Sequence, residues 1–188
     1  MTAGEIAVAV ATCGRPAALW RCLEAIAHGT TLPGELIVID QAPSSGAREA
    51  VERWATGPVR YIEQPRRGVS ASRNFALEVT SRPVLAVTDD DCTPDPGWVA
   101  AIAAALDRHP TPAAVTGPVQ PRGPGLPGTY AVSLRPSPQP RDFRGRILPW
   151  TAGTGGNFAA PCDLLRERGG WDERLGPGSP GLAAEDTD

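Results

Sequence analysis

The sequence predicts an α/β fold, a largely parallel sheet with helices on both faces. Three observations carry this. Short apolar runs rich in β-branched residues recur at residues 6–11, 36–39, 59–62 and 84–87. Between them lie stretches whose apolar residues fall at helical spacing. The connection from the first run to the second has the right length for a right-handed strand-helix-strand crossover. Such alternation gives a Rossmann-like, doubly wound sheet.

Taken in order, the first run stops at Thr12, Cys13, Gly14, Arg15 and Pro16. Gly14 loosens the turn, and Pro16 suits the first turn of a helix. Leu19, Cys22, Leu23 and Ile26 then trace one helix face, which makes Cys22 a core residue. Cys13 sits at the strand end without a neighbouring base, which argues against a nucleophilic role. The second strand ends in Asp40. That carboxylate either accepts hydrogen bonds from a ribose or base or caps the turn toward Gly46. Ala47, Val51 and Trp54 mark a second helix face, and the third strand follows. The segment from Pro65 to Asn74 then combines arginines and serines with the start of a helix carrying Phe75 and Val79. It reads as an anion site at a helix N-terminus or as solvated charge. Arg73, inside that helix, points either to solvent or to the acidic top of the sheet.

The fourth strand ends abruptly in Asp89, Asp90 and Asp91, followed by Pro94. Ligands bind at the carboxyl ends of strands in open α/β sheets. Three adjacent carboxylates crowd such a spot only if positive charge offsets them or some turn to water. The alternatives are a divalent metal site or an Asx-rich turn capping the next helix. Magnesium or manganese suits oxygen ligands, and one or two carboxylates usually leave room for phosphate oxygens. Trp98, Ala101, Ile102, Ala105 and Leu106 give a fourth helix face, and a short strand follows at 113–116. Residues 120–140 are dense in Pro and Gly and read as a lid or exposed loop with a marginal helix near Tyr130 to Leu134. Small residues then surround Asn157, with Trp150 and Phe158 as flat surfaces for a sugar or base or, for Phe158, as core. A helix over 163–168 ends at Gly169 and Gly170.

The 188 residues suit one domain, and the net charge of -3 lacks the basic stripe of a nucleic-acid binder. No apolar run is long enough to span a membrane, so at most peripheral membrane association is expected. The start reads directly into a strand, so no signal peptide is expected, and four dispersed cysteines suit a reducing cytoplasm. His28 and His109 stand alone near helix C-termini, where they complement the helix dipole. There is no G-x-G-x-x-G and no Walker A loop, which argues against dinucleotide and P-loop readings.

Together these pieces resemble the nucleotide-sugar-dependent glycosyltransferases of family 2, with the A-type fold. The matching stretches are Thr12 to Pro16, the strand ending in Asp40, Gly68 with Arg73 and Asn74, the three aspartates with Pro94, Gly153 to Phe158, Gly170 to Glu173, and Glu185 with Asp186. The resemblance implies an inverting transfer from a nucleotide diphosphate sugar, commonly a UDP-sugar, to an acceptor hydroxyl. It places Thr12, Arg15, Asp40, Gly68, Arg73, Asp89 and Asp90 at the nucleotide. It gives Asp91, with Asp89, to Mn2+ or Mg2+. It sets Trp150, Gly155, Gly156, Asn157 and Glu185 beside the donor sugar and acceptor, and makes Asp186 the general base. Residues 1–116 would form the nucleotide-sugar half and 117–188 an acceptor-side half that is incomplete at its C-terminus. The segment from Gly176 onward is then expected to pack loosely. Gln41, Ala42 and Pro43 depart from the family's Asn-x-Ser pattern after the second strand. Two other readings are a sugar nucleotidyltransferase and an inactive truncated transferase that only binds.

Overall fold

The first strand shows how the two faces are built. β1 (Ile6–Thr12) alternates large and small apolar residues. Ile6, Val8 and Val10 enter one buried cluster, while Ala7 and Ala9 enter another on the opposite face. β2 (Glu35–Asp40) and β4 (Val84–Asp89) split the same way: Leu36, Val38, Val84 and Ala86 go to the first cluster, and Ile37, Ile39, Leu85 and Val87 to the second. Period-two side-chain alternation makes a continuous apolar run two-sided, as a sheet covered on both faces requires. The computed structural model describes residues 1–43, 46–53, 59–65, 68–108, 111, 113–123 and 134–181, without the side chains of residues 149 and 150.

The helices supply the covers. α1 (Pro16–Ala27) buries Leu19, Cys22, Leu23 and Ile26, the face expected from their spacing. It packs in the first cluster with Ala47, Ala50 and Val51 of α2 (Ala47–Arg53) and with α4 (Trp98–Asp107). α3 (Val69–Val79) covers the other face with Ala76 and Leu77, opposite the alanines of β1. α6 (Cys162–Glu167) adds Cys162 and Leu165 to that side. A four-residue helix α5 (Pro149–Ala152) precedes the glycine segment.

With β3 (Val59–Glu63), β5 (Val115–Thr116) and β6 (Phe158–Pro161), the sheet runs in the order β3-β2-β1-β4-β6-β5. The first four strands are parallel, whereas β6 runs antiparallel to both β4 and β5. The predicted class is therefore the observed one. β6 is a strand where composition alone suggests only a segment of small residues. The strand order reverses between β1 and β4, and the register pairs Ala11 with Asp89 and Thr12 with Asp40. That register brings the polar ends of three strands to one level. Among the described residues, no helix is long and apolar enough to cross a membrane.

Two expectations are corrected. The segment from Gly176 is not loose through Gly181. Ser179 is buried, and its Oγ lies within hydrogen-bond distance of the carbonyls of Gly176 (2.6 Å) and Arg174 (3.0 Å). The Val69 N–H donates to Pro177 O at 3.2 Å, and Ser70 Oγ to Leu175 O at 3.0 Å. The start of α3 thus supplies polar partners that apolar periodicity does not reveal. For the same reason the N–H groups at the start of α3 are not all free. The Gly68 N–H already donates to Gln41 Oε1 at 2.6 Å, and that of Val69 to Pro177. Gly68 itself has φ of 121°, which a residue with a Cβ adopts poorly. Trp54, His109, Glu185, Asp186 and most of the helix expected near Tyr130 lie outside the described residues.

Asn74 of α3 fastens the segment after α6. Its Oδ1 accepts from the Trp171 N–H at 2.8 Å, and its Nδ2 donates to Trp171 O at 2.8 Å and to Glu173 Oε1 at 3.3 Å. A Cβ on Gly170 would come within 2.4 Å of Asn74 Oδ1, so a glycine belongs there. Asn74→Ala is expected to cost about 1–3 kcal/mol, since it strips partners from partly buried polar groups. It should also speed proteolysis between Gly169 and Gly181. Urea denaturation with limited proteolysis checks this; unchanged stability and cleavage would contradict it.

Candidate functional site

The site forms where the sheet order reverses, the position at which α/β sheets open a crevice at their carboxyl ends. β4 delivers Asp89 there, and the chain turns at once, with Cys92 N–H donating to Asp89 O at 3.0 Å. The turn sends the three aspartates different ways. Donor atoms of Asp89, Asp91 and Cys92 all lie within 4.8 Å of one another. Asp90 is not in that group. It is fully buried and faces back toward the end of β1.

Asp90 is held by β1 and the loop after it. Thr12 Oγ1 donates to Asp90 Oδ2 at 2.7 Å, and Arg15 Nε donates to the same oxygen at 3.2 Å. Arg15 Nη2 contacts Asp90 Oδ1, so the guanidinium grips both oxygens. Its Nη1 continues to Asp91 Oδ2 at 2.9 Å. Burial pushes the Asp90 carboxyl up from its ordinary value, while the Thr12 hydrogen bond and the Arg15 charge pull it down. On the other side, Arg73 is buried in α3 and its Nη2 lies 3.4 Å from Asp89 Oδ1. Of the two directions open to Arg73, the structure shows the acidic sheet top.

Charge count explains how the carboxylates coexist. Among the described residues, Arg15 faces both Asp90 and Asp91 and Arg73 faces Asp89, two guanidinium groups against three carboxylates. Cys92 joins the group as a neutral thiol, because burial and the nearby Asp89 push its pKa up. Cys92 was missed from sequence. Its position directly after the third aspartate is the signal that would have found it.

The glycine segment closes one wall. Thr88 Oγ1 donates to Gly156 O at 3.0 Å, tying the segment to β4. A Cβ on Gly156 would sit 3.2 Å from Asp89 Oδ2 and 3.3 Å from Cys92 Sγ, so this glycine keeps the cluster open. Gly155 is buried beside it. The Asn157 amide faces inward: Oδ1 accepts from Trp98 Nε1 at 2.9 Å, and Nδ2 donates to Pro118 O at 3.1 Å. Phe158 belongs to the core side, packed edge-on to Trp171 with centroids 5.9 Å apart. The Trp150 side chain is outside the described residues.

Asp40 stands one strand away. It is fully buried, with Oδ1 accepting from the Ala42 N–H at 2.8 Å and Oδ2 from Tyr61 Oη at 2.7 Å. It therefore caps its own turn, one of its two sequence readings. Burial and the bond to Asp40 push the Tyr61 hydroxyl pKa upward, so it stays protonated as donor.

The donor set suits a hard divalent cation. Two carboxylates converge from one turn, and Gly156 leaves the space beside Asp89 and Cys92 clear.

Comparison with known proteins agrees with this geometry. Mannosyltransferase PcManGT from Pyrobaculum calidifontis, in complex with GDP-Man and Mn2+, superposes with a TM-score of 0.69 at 21% identity, covering 93% of this chain and 49% of that one. S. aureus TarS 1-349 in complex with UDP-GlcNAc gives 0.73 at 18% identity, covering 100% and 51%. The fold is thus that of nucleotide-sugar transferases. Residues 7–169 match the family model described as glycosyl transferase family 2, and the chain belongs to that family. Glycosyltransferase AglE of Haloferax volcanii is 30% identical over 84 residues, 42% of this chain and 28% of AglE. The chain therefore spans well under two thirds of the curated relative and about half of the solved structures.

Gly156→Ala places a methyl group against Asp89 and Cys92. Cation affinity is expected to fall roughly tenfold or more, the range seen when the surroundings of metal ligands are altered. Mn2+ titration of wild type and variant, with melting temperatures as a folding control, checks this; equal affinity would contradict it.

Proposed function

We propose that this chain carries the donor-binding site of an inverting, metal-dependent glycosyltransferase. It would move a sugar from a nucleotide diphosphate sugar, preferentially a UDP-sugar, to an acceptor hydroxyl. One observation carries the reading: at the sheet's switch point, donor atoms of Asp89 and Asp91 converge, with Arg73 beside the first and Arg15 beside the second. Family membership and the fold support it.

Asp91, with Asp89, would hold Mn2+ or Mg2+. When bound, the cation neutralises the departing diphosphate. Arg73 steadies Asp89 from α3, and its planar fork is suited to a phosphate or ribose edge as well. Gly155 and Gly156 let the donor sugar approach the backbone. Thr12 and Arg15 shape the floor beneath the phosphates, and Asp40 borders the nucleoside. Asp186, next to Glu185, takes the proton from the attacking hydroxyl. Attack and departure then occur in one displacement with inversion at the anomeric carbon, and no covalent enzyme intermediate forms. PcManGT is described with GDP-Man and Mn2+, and TarS with UDP-GlcNAc, so guanosine and uridine donors are the two to separate first.

A melting-temperature panel of UDP, GDP, dTDP and CDP, with and without Mn2+, tests the reading. At a hundredfold excess over Kd, UDP with Mn2+ should raise the melting temperature by roughly 5–10 °C. Asp91→Asn should lose the Mn2+-dependent part and keep the same fold. If no nucleotide shifts the wild type with Mn2+, or if Asp91→Asn shifts as the wild type does, the proposal fails.

A further inference from the structure

We infer that Asp90 and Arg15 form a positioning pair for Asp91, in which the buried Asp90 anchors Arg15 and Arg15 sets the pose of the cation ligand. This rests on the reading that the cluster holds a divalent cation. Asp90 stands outside the group formed by Asp89, Asp91 and Cys92, and its oxygens face Thr12 and Arg15. The Arg15 fork is fixed at one end by a fully buried carboxylate, itself fixed by Thr12. Its other end reaches Asp91 Oδ2 at 2.9 Å, on a side chain that is 56% exposed. An exposed aspartate on a turn samples several rotamers, and one held by an anchored guanidinium does not. The bond uses only one of the two Asp91 oxygens.

The arrangement separates the three aspartates by task. Asp89 and Asp91 offer oxygens to the crevice, and Asp90 acts through Arg15. A lysine at position 15 would keep the charge but lose the fork that joins Asp90 to Asp91. Arg15 also places positive charge near the cation, which taken alone would weaken binding. The inference requires the ordering of Asp91 to outweigh that repulsion.

The test is Mn2+ affinity, read from the electron paramagnetic resonance signal of the free ion. The proteins are wild type, Asp90→Asn, Arg15→Lys, Arg15→Gln and the double variant Asp90→Asn with Arg15→Gln. Circular dichroism confirms folding. The double variant removes both charges and so avoids a lone buried carboxylate. Asp90→Asn, Arg15→Lys and the double variant should each bind Mn2+ roughly ten- to a hundredfold more weakly than wild type, and the double variant no more weakly than Arg15→Gln. Three outcomes would overturn the inference. Additive losses would make Asp90 a ligand in its own right. Tighter binding by Arg15→Gln would make Arg15 a competing charge. Unchanged affinity in Asp90→Asn would make the pair structural only. If wild type itself binds no Mn2+, the cation reading of the cluster fails with it.

Discussion

Three adjacent carboxylates at the end of a buried strand are the constraint on which this site depends. Like charges at van der Waals range raise one another's protonation unless each finds a partner. Here the partners come from two separate elements. Arg15 arrives from the loop that follows β1, and Arg73 from inside α3. The strand order β2-β1-β4 puts both next to β4, so the charge balance is a property of the topology as well as of the local sequence.

α3 has a second task. The helix that presents Arg73 to Asp89 also binds the chain after α6 through Val69, Ser70 and Asn74. Gln41, at the end of β2, holds the Gly68 N–H at its start. One rigid helix thus connects the acidic turn, the end of β2 and the loop over 171–181.

Much of this was legible in the chain itself. Strands β1 to β4 and the buried face of α1 follow from period and composition, because a sheet covered on both sides demands continuous apolar runs. The acidic turn and the buried Arg73 were legible as candidates, since carboxylates at strand ends draw counter-charge. What sequence did not disclose is direction. Three consecutive aspartates look alike in a string, but the turn after β4 buries Asp90, exposes Asp91 and brings in Cys92. Asn157 has the look of a ligand contact, and its amide also bonds to Trp98 and Pro118, partners distant in sequence that the string does not reveal. The packing of Ser179 was likewise hidden, because it rests on backbone carbonyls that carry no sequence signature.

The account turns on a cation held between Asp89 and Asp91 at the β1–β4 switch. A crystal of this chain grown with UDP and Mn2+, measured at the manganese absorption edge, would locate the ion directly. The account predicts one anomalous peak within bonding distance of an Asp91 oxygen and beside Asp89, with Asp90 still buried against Arg15 and Thr12. A peak bonded to Asp90, or none in the crevice with the nucleotide bound, would contradict it.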